Sequence, residues 1–206
     1  YSRMMRLNEK LKQLGDNEFH YFSKGDIYKK LLEKFPDEKE NIHEVLMPTP
    51  IDGKFGPSVG LSMLNVLVPV SNNQPLVSQI SNYLKEERRV YDQENFDLVI
   101  NDGDMGSNVL ANNRGITSVF VTNQFLPKLW KSRFYFYPSL VFVSKQIAKA
   151  SKILVADSPP PYTICQYNLN FPDDLNDKVS YVGHFTNNKK IERKEPTELE
   201  LSLIHI

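Results

Sequence analysis

The sequence predicts an α/β fold, a Rossmann-like and mainly parallel sheet with helices on both faces. Three observations carry that prediction. Short apolar runs, Leu98 to Ile100, Ile116 to Thr122, Lys152 to Ala156 and Val179 to Val182, alternate with stretches of helical periodicity, the pattern of βαβ units. Several runs stop abruptly in polar residues, at Asn101-Asp102-Gly103-Asp104, Asn123-Gln124 and Asp157-Ser158. Buried parallel strands end this way when they deliver polar groups to the crevice at their carboxyl ends. Strands and helices alternate at a spacing that suits crossovers, which are right-handed in such sheets.

Each element follows from local signals. Residues 2–14 carry Met5, Leu7, Leu11 and Leu14 near helical spacing, so the chain opens on a helix. Gly15-Asp16-Asn17 turns it, and Glu18 to Ser23 reads as a short strand. A second helix takes Asp26 as its N-cap, aligns Ile27, Leu31, Leu32 and Phe35 on one face, and stops at Pro36. Ile42 to Met47 reads as a strand ahead of Pro48 and Pro50. Residues 51–73 stay ambiguous: Gly53, Gly56, Pro57 and Gly60 mark a loop, and Leu61 to Val70 is nearly continuous apolar. From Pro75 to Tyr91 the pattern is helical, with Leu76, Ile80, Tyr83 and Leu84 aligned and Pro75 suited to an early position.

A strand over 96–101, a helix over 106–114 stopped by Gly115, and a strand from Ile116 to Thr122 come next. They are followed by a helix over 139–150, a strand from Lys152 to Ala156, the rigid loop Asp157 to Pro161, and the strand Val179 to Val182. Residues 1–185 therefore form one domain. Residues 186–200 are charged and polar and read as a linker. Leu201 to Ile206 reads either as an edge strand or as the in-frame translation of a common sequencing-library transposon adapter. It is taken as a non-native tail, and His205 receives no functional weight.

Bulk composition excludes several classes. Lys plus Arg equals Asp plus Glu at 25 each, so no dominant electrostatic footprint for nucleic acid exists, and no nucleic-acid partner is expected. The single cysteine, Cys165, rules out an internal disulfide framework and fits a reducing compartment. No apolar run reaches the roughly 18 residues a spanning helix needs. No secretory leader is legible, and the chain opens at Tyr1 rather than Met. A cytoplasmic protein is expected, with peripheral contact to the inner face of the membrane as an option.

With these residues in view, the chain resembles the N-terminal domain of a GT-B glycosyltransferase, closest to the family-28-like, MurG-like group and its archaeal and bacterial relatives. Tyr1-Ser2-Arg3-Met4-Met5-Arg6-Leu7 looks like the family's first helix. Phe96 to Asp102, the helix Ser107 to Arg114, Gly115-Ile116 and Phe120-Val121-Thr122-Asn123-Gln124 match its middle strands, and Val182-Gly183-His184-Phe185 looks like its hinge. The resemblance covers residues 1–185. It implies a strand and a Gly-His loop upstream of Tyr1, with the family's general base in that loop. It also implies a donor-binding second domain after the hinge, so that this chain supplies the acceptor side and is inactive alone. The first strand is central in the common strand order, so its loss would leave two unpaired edges. The partners implied are a nucleotide-diphosphate sugar such as a UDP-sugar and a sugar or lipid-linked acceptor. A UDP-GlcNAc 2-epimerase-like enzyme of the same fold, and a Rossmann-like binding module without turnover, are the alternatives.

Candidate residues sit at the strand ends. Asp102 is the expected catalytic contact, able to position or deprotonate an acceptor hydroxyl, and Asp104 joins it as a substrate contact. The competing reading makes Asp102 the cap of the next helix. The Asp-x-Asp spacing also resembles a Mg²⁺ or Mn²⁺ motif, but no metal or further cofactor is expected. Asn123 and Gln124 could bond sugar hydroxyls, Asp157 closes a third strand in the same way, and His184 could face the cleft. Ser2 and Arg3 lie at a helix N-terminus suited to an anion. Trp130, Lys131, Arg133 and Phe134 belong to the basic and aromatic stretch Lys128 to Tyr137, which suits a membrane interface or, in the plainer reading, packs under a loop. His20 and His43 read as structural, and Cys165 as buried rather than reactive.

Overall fold

The computed structural model describes residues 2–48, 51–53, 56–57, 65, 68–70, 73–126 and 137–185. The chain opens on α1 (Ser2–Lys12), whose Met5 is buried with Leu31 and Ile42 in a small cluster. The helix ends two residues short of Leu14. Gln13 and Leu14 bond to the carbonyls three residues back, a tightened last turn, and Leu14 is left exposed.

β1 (Tyr21–Ser23) and β2 (Ile42–Glu44) pair in parallel, Tyr21 opposite Ile42, and both are shorter than the runs that announce them. Between them runs α2 (Gly25–Lys34). Its N-cap is Lys24, without a side-chain bond, and Asp26 lies in the first turn, where its charge still meets the helix dipole. Tyr28, Leu31, Leu32 and Phe35 turn inward while Ile27 stays exposed. Pro36 does stop the helix and opens a 3-10 turn, Pro36–Asn41.

Within the ambiguous stretch, β3 (Asp52–Gly53) and β4 (Gly56–Pro57) form a short antiparallel pair. Residues 58–64 lie outside the described part. α3 (Leu76–Gln93) starts after Pro75 as expected, but its buried face is Tyr83, Glu87, Val90 and Tyr91. Ile80 is exposed.

The larger sheet is built from β5 (Leu98–Asp102), β6 (Thr117–Thr122), β7 (Lys152–Val155) and β8 (Val179–Tyr181), all parallel, in the order β5-β6-β7-β8. Two crossover helices, α4 (Met105–Asn113) and α5 (Tyr137–Ile147), connect the first three strands. The predicted α/β class with a mainly parallel, Rossmann-like sheet is the observed one. Its core gathers Phe120, Phe125, Ile147, Ala150, Ile153 and Leu175, so β6 and β7 are the buried centre. Among the described residues β5 is an edge strand: Leu98 is 46% exposed, unlike the fully buried strand that its apolar run suggests.

Among the described residues the β1–β2 pair and the four-stranded sheet are not paired to each other. They are joined by rings. Phe22 of β1 packs on Tyr91 and Phe96 at centroid distances of 5.9 and 6.2 Å, and His20 meets Phe96 edge-on at 5.2 Å. β5 starts at Leu98 instead of at 96, opposite Thr117, the first residue of β6. No helix among the described residues is long and apolar enough to cross a membrane. The linker 186–200 and the tail 201–206 lie outside the described residues.

Candidate functional site

The register sets Asp102 opposite Val121, Thr122 opposite Val155 and Val155 opposite Tyr181. The residues that follow these strands therefore emerge along one edge of the sheet: Asp102, then Asn123 and Gln124, then Asp157, then His184. α1 is tied to both margins of that edge. Arg3 Nε donates to Asp102 Oδ2 at 3.1 Å, and a second Arg3 nitrogen donates to Oδ1. Arg6 donates to the carbonyl of Phe185, beyond β8. A guanidinium fork on a half-buried carboxylate is a charge-assisted pair with fixed geometry, so Asp102 is held by a residue 99 positions away. Ser2, the first residue of α1, is exposed.

The helix cap is Asp104, not Asp102. Its Oδ1 accepts from the backbone N–H of Gly106 at 2.8 Å and of Ser107 at 3.4 Å, and from the Tyr83 hydroxyl. Gly103 separates the two carboxylates by turning the chain through φ +84°, a conformation open to glycine at little cost. Asp102 goes to Arg3 and Asp104 goes to α4. Gly106 matters for a different reason: a Cβ there would lie 2.3 Å from the Tyr83 ring, so the absent side chain is what lets Tyr83 reach Asp104.

Behind this cap lies Glu87, fully buried on α3. Its Oε1 accepts from the Ser107 hydroxyl at 3.0 Å, and its Oε2 has no partner. Burial, reinforced by the Asp104 charge, pushes the Glu87 carboxyl up to about 9, so it carries its proton at neutral pH. The same two causes push the Tyr83 hydroxyl far up, which keeps it a donor.

Asn123 and Gln124 are both exposed. Their turn is fixed by the Thr122 hydroxyl, which accepts from the Gln124 N–H at 2.9 Å and donates to the Gln124 carbonyl at 2.6 Å. Asp157 is the opposite case. Its side chain is 1% exposed, and it accepts from the backbone N–H groups of Ser158 at 2.7 Å, Ile164 at 3.1 Å and Cys165 at 2.7 Å. That cage encloses its side chain, and among the described residues His184 Nε2 lies 3.5 Å from Asp157 Oδ1. Burial raises the Asp157 carboxyl, but the three N–H groups outweigh it and hold it below the usual range.

His20 and His43 are a ring pair across β1 and β2, nitrogen to nitrogen at 3.0 Å, in keeping with a structural role. Cys165 is half-buried rather than buried, and burial together with Asp157 pushes its thiol up, away from thiolate reactivity. Among the described residues no group of three or more His, Cys, Asp or Glu side chains is arranged to hold a metal ion. Trp130, Lys131, Arg133 and Phe134 lie outside the described residues.

Sequence reasoning missed the Arg3–Asp102 pair and the Tyr83–Asp104 and Ser107–Glu87 bonds. Only one signal pointed to the latter: Glu87 sits one turn after Tyr83 on an amphipathic helix, on the side that Val90 and Tyr91 also bury.

No family model matches the chain. Over 48 residues, 23% of its length, the chain is 40% identical to a protein of Methanosarcina acetivorans described as an uncharacterized glycosyltransferase. Over 65 residues, 32% of its length, it is 35% identical to a protein of Methanosarcina mazei with the same description. The matched segments span 13% and 16% of those relatives. The likeness is to short segments of proteins so described.

Proposed function

We propose that the chain supplies the acceptor side of a GT-B glycosyltransferase, family-28-like and MurG-like, which moves a sugar from a nucleotide-diphosphate sugar onto an acceptor hydroxyl. One observation carries the reading. Hydrogen-bonding side chains emerge at neighbouring ends of one parallel sheet, where α/β folds place their ligands, in a chain with a glycosyltransferase-like segment. Asp102 is the central contact, held in place by Arg3. Asn123 and Gln124 offer exposed amides that can both donate to and accept from sugar hydroxyls. A second domain outside this chain would hold the donor, a UDP-sugar in the simplest case. The aromatic and basic stretch around Trp130, Lys131, Arg133 and Phe134 suits peripheral contact with a membrane that carries a lipid-linked acceptor.

The test is nucleoside-diphosphate release from UDP-glucose and UDP-N-acetylglucosamine by the full-length protein, with and without added glycan acceptors. Release that rises with acceptor is expected, together with a loss of that increment in Asp102→Asn. Release that ignores the acceptor would point to epimerase-like chemistry and overturn the reading.

A further inference from the structure

His20, Phe22 and His43 share one face of the β1–β2 pair, since His20 precedes Phe22 by two positions and His43 stands opposite it in register. That face meets Phe96, two residues ahead of β5. The His20 ring lies edge-on to Phe96 at 5.2 Å, and the Phe22 ring lies 5.0 Å from His43 and 6.2 Å from Phe96. His20 Nδ1 and His43 Nε2 are 3.0 Å apart, with the two rings inclined by 15°. Imidazoles so placed share one hydrogen, because one of the two facing nitrogens must be bare to accept. A single added proton is accommodated, as an imidazolium that donates to a neutral ring. A second proton sets two N–H groups head to head and leaves no acceptor between them.

We propose that His20 and His43 form an acid-sensitive latch: sharing one hydrogen they hold β1 and β2 against Phe96, and once both rings are protonated they part and release the smaller sheet from the larger. Among the described residues, the charged groups that face the pair come from the segment ahead of β1 and from α3. Glu18 Oε1 lies 3.6 Å from His20 Nε2 and also accepts from the Asn41 amide at 3.2 Å, but its side chain is 76% exposed, so solvent screens it. Arg89 of α3 and Glu94 at its C-cap act on His43. Glu44, the next residue of β2, is exposed and alternates to the other face. Burial, with His20 and Arg89, holds the His43 imidazole below its ordinary value of 6.5, against the pull of Glu94. The sign follows. An opened junction takes up the His43 proton near the ordinary value and the closed one only below it, so closure is full above that value and is lost as pH falls through the lowered one. Opening reaches α1 as well. Its Met5 packs on Ile42 of β2 and its Asn8 accepts from the Tyr21 hydroxyl, while its Arg3 holds Asp102. The latch operates whether or not the chain is a transferase.

Amide-exchange protection factors of the full-length protein between pH 7 and pH 5, read beside the ring ¹⁵N shifts of His20 and His43, test the latch. Protection in β1 and β2 is expected to fall as His43 becomes charged, by up to about tenfold per pH unit for one linked proton. α1 should follow, while β6 and β7 keep their protection. Equal protection of β1 and β2 at both pH values would overturn the proposal, and so would a loss shared equally by β6 and β7. Neither reading requires a variant to fold. His43→Phe keeps a ring against Phe22 but has no hydrogen to share and no charge to gain. Its protection in β1 and β2 should therefore be flat over the same range. A fall as steep as in the wild type would show that the acid response lies elsewhere and would overturn the latch.

Discussion

Glu87 lies between α3 and α4 with one carboxyl oxygen on the Ser107 hydroxyl and the other unbonded. The capping Asp104 is close enough to act on it. The consequence is a pH dependence of definite sign. An unfolded chain releases the Glu87 proton near the ordinary glutamate value, whereas the folded protein keeps it to about 9. Stability from this residue is therefore full in acid and is lost as pH rises between those limits, with a slope of up to about 1.4 kcal/mol per pH unit. Glu87→Gln keeps the neutral shape and should be more stable than the wild type at pH 8, with a flatter profile. Urea midpoints of both proteins from pH 5 to 9 check this; parallel profiles would contradict it. Little of the residue was legible in sequence. A glutamate in LKEERRVYDQ reads as solvated, and Ser107, which identifies it as buried, is 20 positions away.

The elements were easier to read than the bonds between them. Apolar runs ending in polar turns located β5, β6, β7 and β8, although the burial on both faces that such runs announce is met by β6 and β7 and not by β5 or β8. Helix boundaries moved by one to three residues, as at Lys24, which is the N-cap in place of Asp26, and at Ile147, where the helix expected to reach residue 150 ends. Asp102 and Asp104 could not be told apart as caps, since φ at Gly103 decides which carboxylate faces α4. The placement of α1 was not legible at all. It depends on Arg3 and Arg6 meeting Asp102 and the Phe185 carbonyl, partners 99 and 179 positions distant. Arg3→Ala should loosen α1 at a cost of about 1 kcal/mol. Amide exchange would show it as faster opening of α1 and unchanged protection in β6 and β7. Unchanged exchange in α1 would mean that Met5 and Asn8, its buried residues, hold the helix without the ion pair.

At the scale of the molecule, a four-stranded parallel sheet presents its carboxyl edge beside α1, and a two-stranded sheet joins it through aromatic rings. The division of labour along that edge follows from burial. Asn123 and Gln124 are exposed, Asp102 is half-buried and fixed by Arg3, and Asp157 is buried beside His184. Sequence order alone brought the strand ends together as candidates, because parallel strands all point the same way. It could not rank them, since the cage around Asp157 comes from a loop seven and eight residues further on, at Ile164 and Cys165. Acceptor binding at this edge, as proposed above, is tested by backbone and histidine-ring NMR of the chain titrated with N-acetylglucosamine and methyl glucoside. Concentration-dependent shifts are expected, confined to Asp102, Asn123, Gln124 and the His184 ring. Silence at all four, with shifts gathered on β1 and β2 instead, would contradict it.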